Sequence, residues 1–174
     1  MRARSVISTA AVCGAAAVLG SGALASGETG AGDRSATHGA GAKQSENRAL
    51  FAVLSGRKEV DDQGRRGAGD LNGRGTFSAT IDGDQLCFGL TVKNIGDPVA
   101  AHIHRGGPRR NGPIVVPLEP HPTTGDPGAS GGCVDVSAAI ARAILKNPRK
   151  YYANVHTAEF GGGAVRGNLF GLTR

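Results

Sequence analysis

Two histidines stand two residues apart in the segment AHIHRGG, where His102 and His104 follow a short apolar run. If this segment is a β-strand, alternate residues share a face, so both imidazoles project from the same side. A third histidine, His156, lies late in the chain in KYYANVHT, a second segment with the composition of a strand. Because zinc and copper both accept imidazole, the three rings could hold one metal ion if the two strands are close.

The same pattern also fits a purely structural role. A buried imidazole commonly donates to a backbone carbonyl and accepts from a Tyr or Asn, which satisfies both ring nitrogens without a metal. Tyr152 and Asn154 share the predicted face of His156. Asn111 could brace the loop that follows His104. We expect this structural role and no cofactor, and we keep a mononuclear copper or zinc site at the three histidines as the alternative.

The sequence gives little support for nucleophilic catalysis or phosphate chemistry. Its serines lie in no nucleophile elbow, and no acidic residue is placed to orient a catalytic histidine. The glycine-rich segment GGGAVRG lacks the Lys-Ser/Thr pair of a phosphate loop and precedes a predicted strand rather than a helix. We therefore predict that the protein is not an enzyme.

The amino terminus has the pattern of a secretory signal peptide over residues 1–25. Two arginines precede a weakly apolar run rich in Ala and Val, and Ala23-Leu24-Ala25 fits a signal peptidase site. Residues 26–48 contain no large apolar side chain, which predicts a disordered tether. Residues 49–174 are long enough for one domain with a single core. The protein is therefore predicted to be secreted, without a membrane span.

Export decides how the cysteines are interpreted. Cys13 lies within the signal peptide, which leaves Cys87 and Cys133 in the mature chain. An even pair in an oxidising compartment most simply forms one disulfide. The alternative is a pair of free thiols or of thiolate ligands to a metal.

The charge balance is modestly basic. The chain carries 20 Lys and Arg against 14 Asp and Glu, a net charge of +6, and the loss of Arg2 and Arg4 would lower this by two. The excess lies in predicted loops, among them Arg65-Arg66, Arg105 and Arg109-Arg110. Such a balance favours either plain solubility or contact with an anionic cell-surface polymer. Nucleic acid is not predicted, because the exported chain lacks aromatic stacking positions along a basic face.

Short β-prone runs separated by turn residues dominate the chain after residue 48. An Asp-Gly pair at residues 82–83 predicts a tight hairpin, and Leu50 to Ser55 predicts a strand buried on both faces. VSAAIARAILKNP is the one predicted helix, capped by Ser137 and ended by Pro148. Seven or eight strands with one helix indicate an all-β fold, an immunoglobulin-like or Greek-key sandwich or barrel. Further strands are predicted in PVAAHIH, PIVVPL, KYYANVHT and AVRGNLFGL, and a loop in EPHPTTGDPGASGG.

Four segments together resemble the CHRD domain, a module named from the animal protein chordin and also found singly in secreted bacterial proteins. The most specific elements are His-Ile-His-x-Gly and Tyr-x-Asn-x-His-Thr followed by Gly-x-x-Arg-Gly. The resemblance implies a β-sandwich or barrel and no established enzymatic activity, so we predict a non-catalytic extracellular binding or structural module. Its partner is predicted to be an extracellular protein or an anionic cell-surface polymer. The segments are LSGRKEV, GRGTFSATIDGDQLCFGLTV, AHIHRGGPRRNGPIVVPL and NPRKYYANVHTAEFGGGAVRGNL, with motif residues His102, His104, Gly106, Asn154, His156, Arg166 and Gly167.

A fainter likeness is to copper/zinc superoxide dismutase, a Greek-key β-barrel that presents His-x-His on one strand and a Val-His late in the chain. The corresponding positions here look like the three histidines, with Arg166 before the last strand. A second metal would need more ligands than His121 and Asp126 supply, so the likeness implies at most one ion. We also expect Arg166 to pair with a backbone carbonyl or with Glu159.

Overall fold

The computed structural model describes residues 49–171, which form nine β-strands, one α-helix and two short 3-10 turns. The signal peptide predicted for residues 1–25 and the tether predicted for residues 26–48 lie outside the described residues. The elements are β1 (Leu50–Ser55), β2 (Arg74–Asp82), β3 (Gln85–Lys93), β4 (Pro98–Arg105), β5 (Ile114–Pro117), β6 (Gly128–Asp135), α1 (Ala138–Lys146), β7 (Tyr151–Thr157), β8 (Val165–Asn168) and β9 (Phe170–Gly171), with 3-10 turns at Gly56–Lys58 and Pro148–Lys150.

The strands form one antiparallel sheet in the order β5-β4-β7-β8-β1-β2-β3-β6, and β9 pairs with β1. The chain leaves β6 through α1 and returns to place β7 beside β4, which is a Greek-key connection. The segment after β5 lies against β6, because a Cβ on Gly132 would meet Pro120 and the carbonyl oxygen of Glu119. The predicted all-β fold is confirmed, as one nearly closed barrel.

The core lies inside this barrel and is built from alternate residues of the strands. On β1, Leu50, Ala52 and Leu54 are buried, whereas Val53 is 56% exposed. The prediction that β1 is buried on both faces is therefore wrong, because a strand of a barrel turns one face to the core and the other outward. The largest fully buried apolar side chains are Phe77, Leu50, Leu54, Leu86, Leu90, Ile103, Leu118, Ile144, Leu169, Val116 and Val155.

Two local predictions are confirmed. The β2–β3 hairpin turns at residues 82–85, where Gly83 adopts a φ of 59° that favours glycine. The helix begins after Ser137, whose side chain accepts a hydrogen bond from the backbone N–H of Ile140, and Ile144 packs in the core. Within residues 49–171, no helix has the length and apolar character that a membrane crossing requires.

Strand β6 carries the disulfide. The prediction of a loop up to residue 132 is wrong from Gly128 onward, because this segment pairs with β3 along its length. Cys87 lies directly opposite Cys133 in that pairing, and the two form the predicted disulfide. The covalent bond therefore joins neighbouring strands on the outward face of the sheet.

Candidate metal centre

One outward face of the barrel, on β4, β7 and β8, carries the motif side chains. His102 lies opposite Asn154 on β7, and two residues further along β4 His104 lies opposite Tyr152. Asn154 is in turn opposite Arg166 on β8. Directly opposite residues of an antiparallel pair share a face, so these five side chains project outward together.

The third histidine completes a cluster with the first two. His156 lies opposite Ala100, and the ligand nitrogens of His102, His104 and His156 all lie within 4.8 Å of one another. Nδ1 of His102 is 3.1 Å from Nε2 of His156. Two ligands of a tetrahedral zinc ion stand about 3.3 Å apart when its bonds are near 2.0–2.1 Å. The distance between these two nitrogens is thus already close to the spacing of two ligands on one zinc ion.

Backbone carbonyls determine which nitrogen two of these rings turn inward. Nδ1 of His104 lies 2.8 Å from the carbonyl oxygen of Gly112, and Nδ1 of His156 lies 2.9 Å from that of Gly161. A carbonyl oxygen can only accept, so in each ring Nδ1 carries the proton and Nε2 keeps its lone pair when the imidazole is neutral. Such N–H···O=C bonds orient the histidine ligands of metal sites.

Burial keeps the cluster neutral near pH 7. It lowers the pKa of His102 to about 4, and the neighbouring His156 and His104 act in the same direction. Burial also lowers the pKa of His104 and the pKa of His156, although their bonds to the Gly112 and Gly161 carbonyls oppose the shift. The neutral imidazole is the form that binds a metal ion.

Arg166 holds the loop between β4 and β5 in place. Its side chain is 1% exposed and donates from Nη1 to Oδ1 of Asn111 at 3.0 Å. Nη2 donates to the carbonyl oxygens of Gly107 and Arg110, at 3.0 and 3.2 Å. Asn111 donates in turn from Nδ2 to the carbonyl oxygen of Val60 at 3.1 Å, so it braces this loop as expected.

The same arginine supports His104 through a stack of side chains. Its guanidinium carbon lies 4.0 Å from the centroid of the Tyr152 ring. Tyr152 lies parallel to the ring of His104, with 4.9 Å between centroids. Because the loop held by Arg166 also supplies the Gly112 carbonyl, Arg166 supports the orientation of His104 both through Tyr152 and through this loop.

A buried carboxyl group lies beside the guanidinium group of Arg166. Glu59 is 2% exposed, and its Oε2 is 3.9 Å from Nη1 of Arg166. The prediction that Arg166 pairs with a backbone carbonyl is thus confirmed by Gly107 and Arg110, whereas the alternative partner Glu159 is wrong, because the segment after β1 folds over β8 and carries Glu59 there. Burial raises the pKa of Glu59 to about 8, although Arg166 and Asn154 act against the shift. Gly163 also adjoins this carboxyl group at a φ of +135°, a conformation that favours glycine.

Three buried polar atoms in this region make no hydrogen bond within the described part of the chain: Oε1 of Glu59, Oδ1 of Asn154 and Nε2 of His104. A buried polar atom without a partner is unfavourable by about 1–3 kcal/mol. Nε2 of His104 thus faces the cluster with the Asn154 side chain close by, which acts on the pKa of this ring.

The other motif residues build the scaffold around the cluster. The N–H of Gly106 donates to the carbonyl oxygen of Lys150 at 2.8 Å. A Cβ on Gly167 would overlap the carbonyl oxygen of Val53, so β8 can approach β1 only with glycine there. His121 and Asp126 do not join the three-histidine cluster: Nδ1 of His121 contacts the Pro122 carbonyl, although this ring is close enough to lower the pKa of His102, and Asp126 accepts from the backbone of Asn94.

The model of the CHRD domain family matches residues 50–169. The chain belongs to the CHRD domain family. The CHRD domain of this protein thus runs from the start of β1 past β8 and contains the histidine cluster, Glu59, Arg166 and the disulfide. No curated protein and no solved structure matches the chain.

Sequence reasoning missed Glu59 and the two carbonyls that orient the histidines. The signal available for Glu59 was its place in LSGRKEV, one of the segments that carry the CHRD resemblance. The carbonyls of Gly112 and Gly161 left only a weak signal, because each lies in a glycine-containing loop that follows a motif histidine. Any residue type can supply a carbonyl oxygen, so the pattern of side chains does not identify one.

Proposed function

We propose that this protein is a secreted, non-catalytic CHRD module that holds one zinc or copper ion at His102, His104 and His156. The observation that carries the proposal is the orientation of His104 and His156, whose Nδ1–H groups bind carbonyls and turn the Nε2 lone pairs into the cluster. There the lone pair of His156 accepts from Nδ1 of His102 until a metal replaces this bond. Zinc and copper both accept imidazole ligands. Export is supported by the Cys87–Cys133 disulfide, since such bonds persist in oxidising compartments.

The proposed role of the ion is to set the geometry of two loops. A metal bound here would join β4 to β7 and hold the two strands through their side chains. The bonds to Gly112 and Gly161 extend this restraint to the loop after β4 and the loop after β7. Metal content would therefore control the shape of one end of the barrel.

Metal titration tests the proposal. Metal-free wild-type protein should gain about 2.7 kcal/mol of stability at a free zinc concentration a hundredfold above the dissociation constant. The gain should disappear in His104→Ala and in His156→Ala, because a three-ligand site tolerates neither loss. Thermal unfolding with and without zinc or copper measures the effect, on protein purified without a His-tag.

The matched control is His121→Ala, which removes a neighbouring histidine that is not one of the three ligands and should keep most of the gain. A different outcome would support the purely structural role of the histidines. In that case the wild-type melting temperature would not respond to metal, and His104→Ala would lose about 1–3 kcal/mol in metal-free protein.

We propose an anionic surface polymer as the partner. Exposed arginines lie on two loops that pack together, since a Cβ on Gly64 would meet the carbonyl oxygen of Arg109. This contact gathers scattered positive charges into one surface beside the metal centre, which favours a polyanion. The arginines are Arg66, Arg109 and Arg110 on the loops, Arg105 at the end of β4, and Arg65, whose charge is paired with Asp61 at 2.6 Å.

Retention on immobilised heparin tests this partner class. Arg109→Ser/Arg110→Ser should weaken binding about threefold to tenfold, since exposed ionic contacts each contribute about 0.2–1 kcal/mol. The control, Arg142→Ser/Lys146→Ser, removes the same charge from exposed positions of α1. Equal loss in both variants would show a response to net charge alone and would count against a polymer site on these loops.

A further inference from the structure

The ring of His102 is oriented differently from the other two in the cluster. His104 and His156 turn Nε2 inward, whereas His102 presents Nδ1 to Nε2 of His156 at 3.1 Å. Because His156 Nδ1 donates to Gly161, its Nε2 must accept, so Nδ1 of His102 carries the proton in metal-free protein. A metal that replaces this hydrogen bond would take Nδ1 of His102, and the proton would then belong on Nε2.

The register of the sheet places a carboxylate beside this ring. Pro117 lies opposite His102, and the N–H of Leu118 donates to the carbonyl oxygen of Ala101 at 2.9 Å. Extended past the end of β5 by this bond, the same register sets Glu119 near Ala100, whose partner on β7 is His156. Leu118 is buried in the core, so alternation directs Glu119 to the outward face.

Ala100 lies between Glu119 and His156 across the sheet, and its small side chain leaves space between these two residues. The ring of His102 is tilted toward this space, because its Nδ1 contacts His156 and not Asn154, the residue directly opposite on β7. A ring that turns Nδ1 toward β7 turns its opposite edge, with Nε2, toward the β5 side. In agreement with this placement, the charge of Glu119 raises the pKa of His102 against the effect of burial.

We propose that Glu119 is a positioning residue of the metal centre, accepting a hydrogen bond from Nε2–H of His102 while Nδ1 of that ring binds the metal. This inference rests on the proposed function. It gives all three ligands the same support, since the carbonyls of Gly112 and Gly161 already hold the other two. Carboxylate–histidine–metal arrangements of this kind fix the tautomer and strengthen the ligand.

Zinc affinity of Glu119 variants tests the inference. Glu119→Ala should bind zinc about 10–100-fold more weakly than wild type, and Glu119→Gln should lose less because its amide oxygen still accepts. The melting temperature of metal-free protein should hardly change, because Glu119 is exposed. The control Glu159→Ala removes the same charge from the loop after β7 and should bind zinc like wild type.

Nitrogen NMR of His102 supplies a signature that a structural role would not give. The metal-free ring should carry its proton on Nδ1, and the zinc-loaded ring should carry it on Nε2. Zinc binding by wild type with equal affinity in Glu119→Ala, or ligation through Nε2 of His102, would overturn the inference and leave the proposed function standing. Failure of wild type to bind zinc or copper would instead remove the proposed function itself.

Discussion

Replacing Arg166 by Met is expected to lower the free energy of unfolding by about 3–5 kcal/mol, because three acceptors lose their donor at about 1–3 kcal/mol each. Met has a similar length but donates no hydrogen bond. The carbonyl oxygens of Gly107 and Arg110 and Oδ1 of Asn111 would all lose their donor. The stack on Tyr152 would lose its cation at the same time.

Urea unfolding at neutral pH measures this loss. Arg105→Met is the matched control, because Arg105 is exposed at the end of β4 and its replacement should change stability by less than about 0.5 kcal/mol. The loss in Arg166→Met should be accompanied by faster amide exchange in the loop after β4. A change below about 1 kcal/mol would contradict the claim that Arg166 holds this loop in place.

Glu59 makes the stability of the folded protein depend on pH, and a second variant can isolate this contribution. Its pKa of about 8 in the folded protein exceeds the ordinary value of 4.5, so the folded state retains a proton that the unfolded carboxyl group releases. The stability contributed by Glu59 is therefore fully present below about pH 4.5 and is lost as the pH rises through 8. Glu59→Gln cannot ionise and should become more stable relative to wild type between about pH 5 and pH 8.

The histidines change the stability in the opposite direction with pH. Their folded-state pKa values are lowered, so their contribution is present above the ordinary value of 6.5 and is lost as the pH falls through the folded values. They are common to wild type and Glu59→Gln, so the difference between the two unfolding energies cancels them. A difference that stays constant with pH would contradict the raised pKa of Glu59.

Local patterns predicted the parts of the fold that depend on neighbouring residues. The Asp-Gly turn predicted the β2–β3 hairpin, and Ser137 and Pro148 predicted the bounds of α1, because turns and caps act within a few residues. Strand β6 escaped prediction because its first five residues are Gly, Ala and Ser, which have little β propensity. Its extended form comes from pairing with β3, more than 30 residues earlier in the chain.

The candidate site was likewise predictable only where it depends on neighbouring residues. That His102 and His104 share a face follows from the two-residue period of a strand. Their meeting with His156, 54 residues from His102, depends on the Greek-key return that sets β7 beside β4. The choice of Glu59 over Glu159 depends on a loop packed across β8, which no local pattern encodes.

Replacing both Cys87 and Cys133 by Ala is expected to lower the free energy of unfolding by as much as about 4 kcal/mol, and the melting temperature by roughly 10–15 °C. The bond closes a loop of 46 residues that contains β4 and β5. Without it the unfolded chain gains entropy, which grows with loop length. Cys133 is exposed, so little packing is lost, and the whole effect tests the covalent restraint.

The loss should concentrate on β6, which has few large side chains to hold it against β3. Amide exchange in β6 should therefore accelerate more than in β2, which pairs on both sides with β1 and β3. A reducing agent should lower the melting temperature of wild type to that of the double variant and leave the double variant unchanged. Zinc affinity should survive in the folded double variant, because the histidines lie on β4 and β7 and the disulfide on β3 and β6. Equal melting temperatures of oxidised and reduced wild type would show that strand pairing alone holds β6, and the disulfide would then contribute nothing to stability.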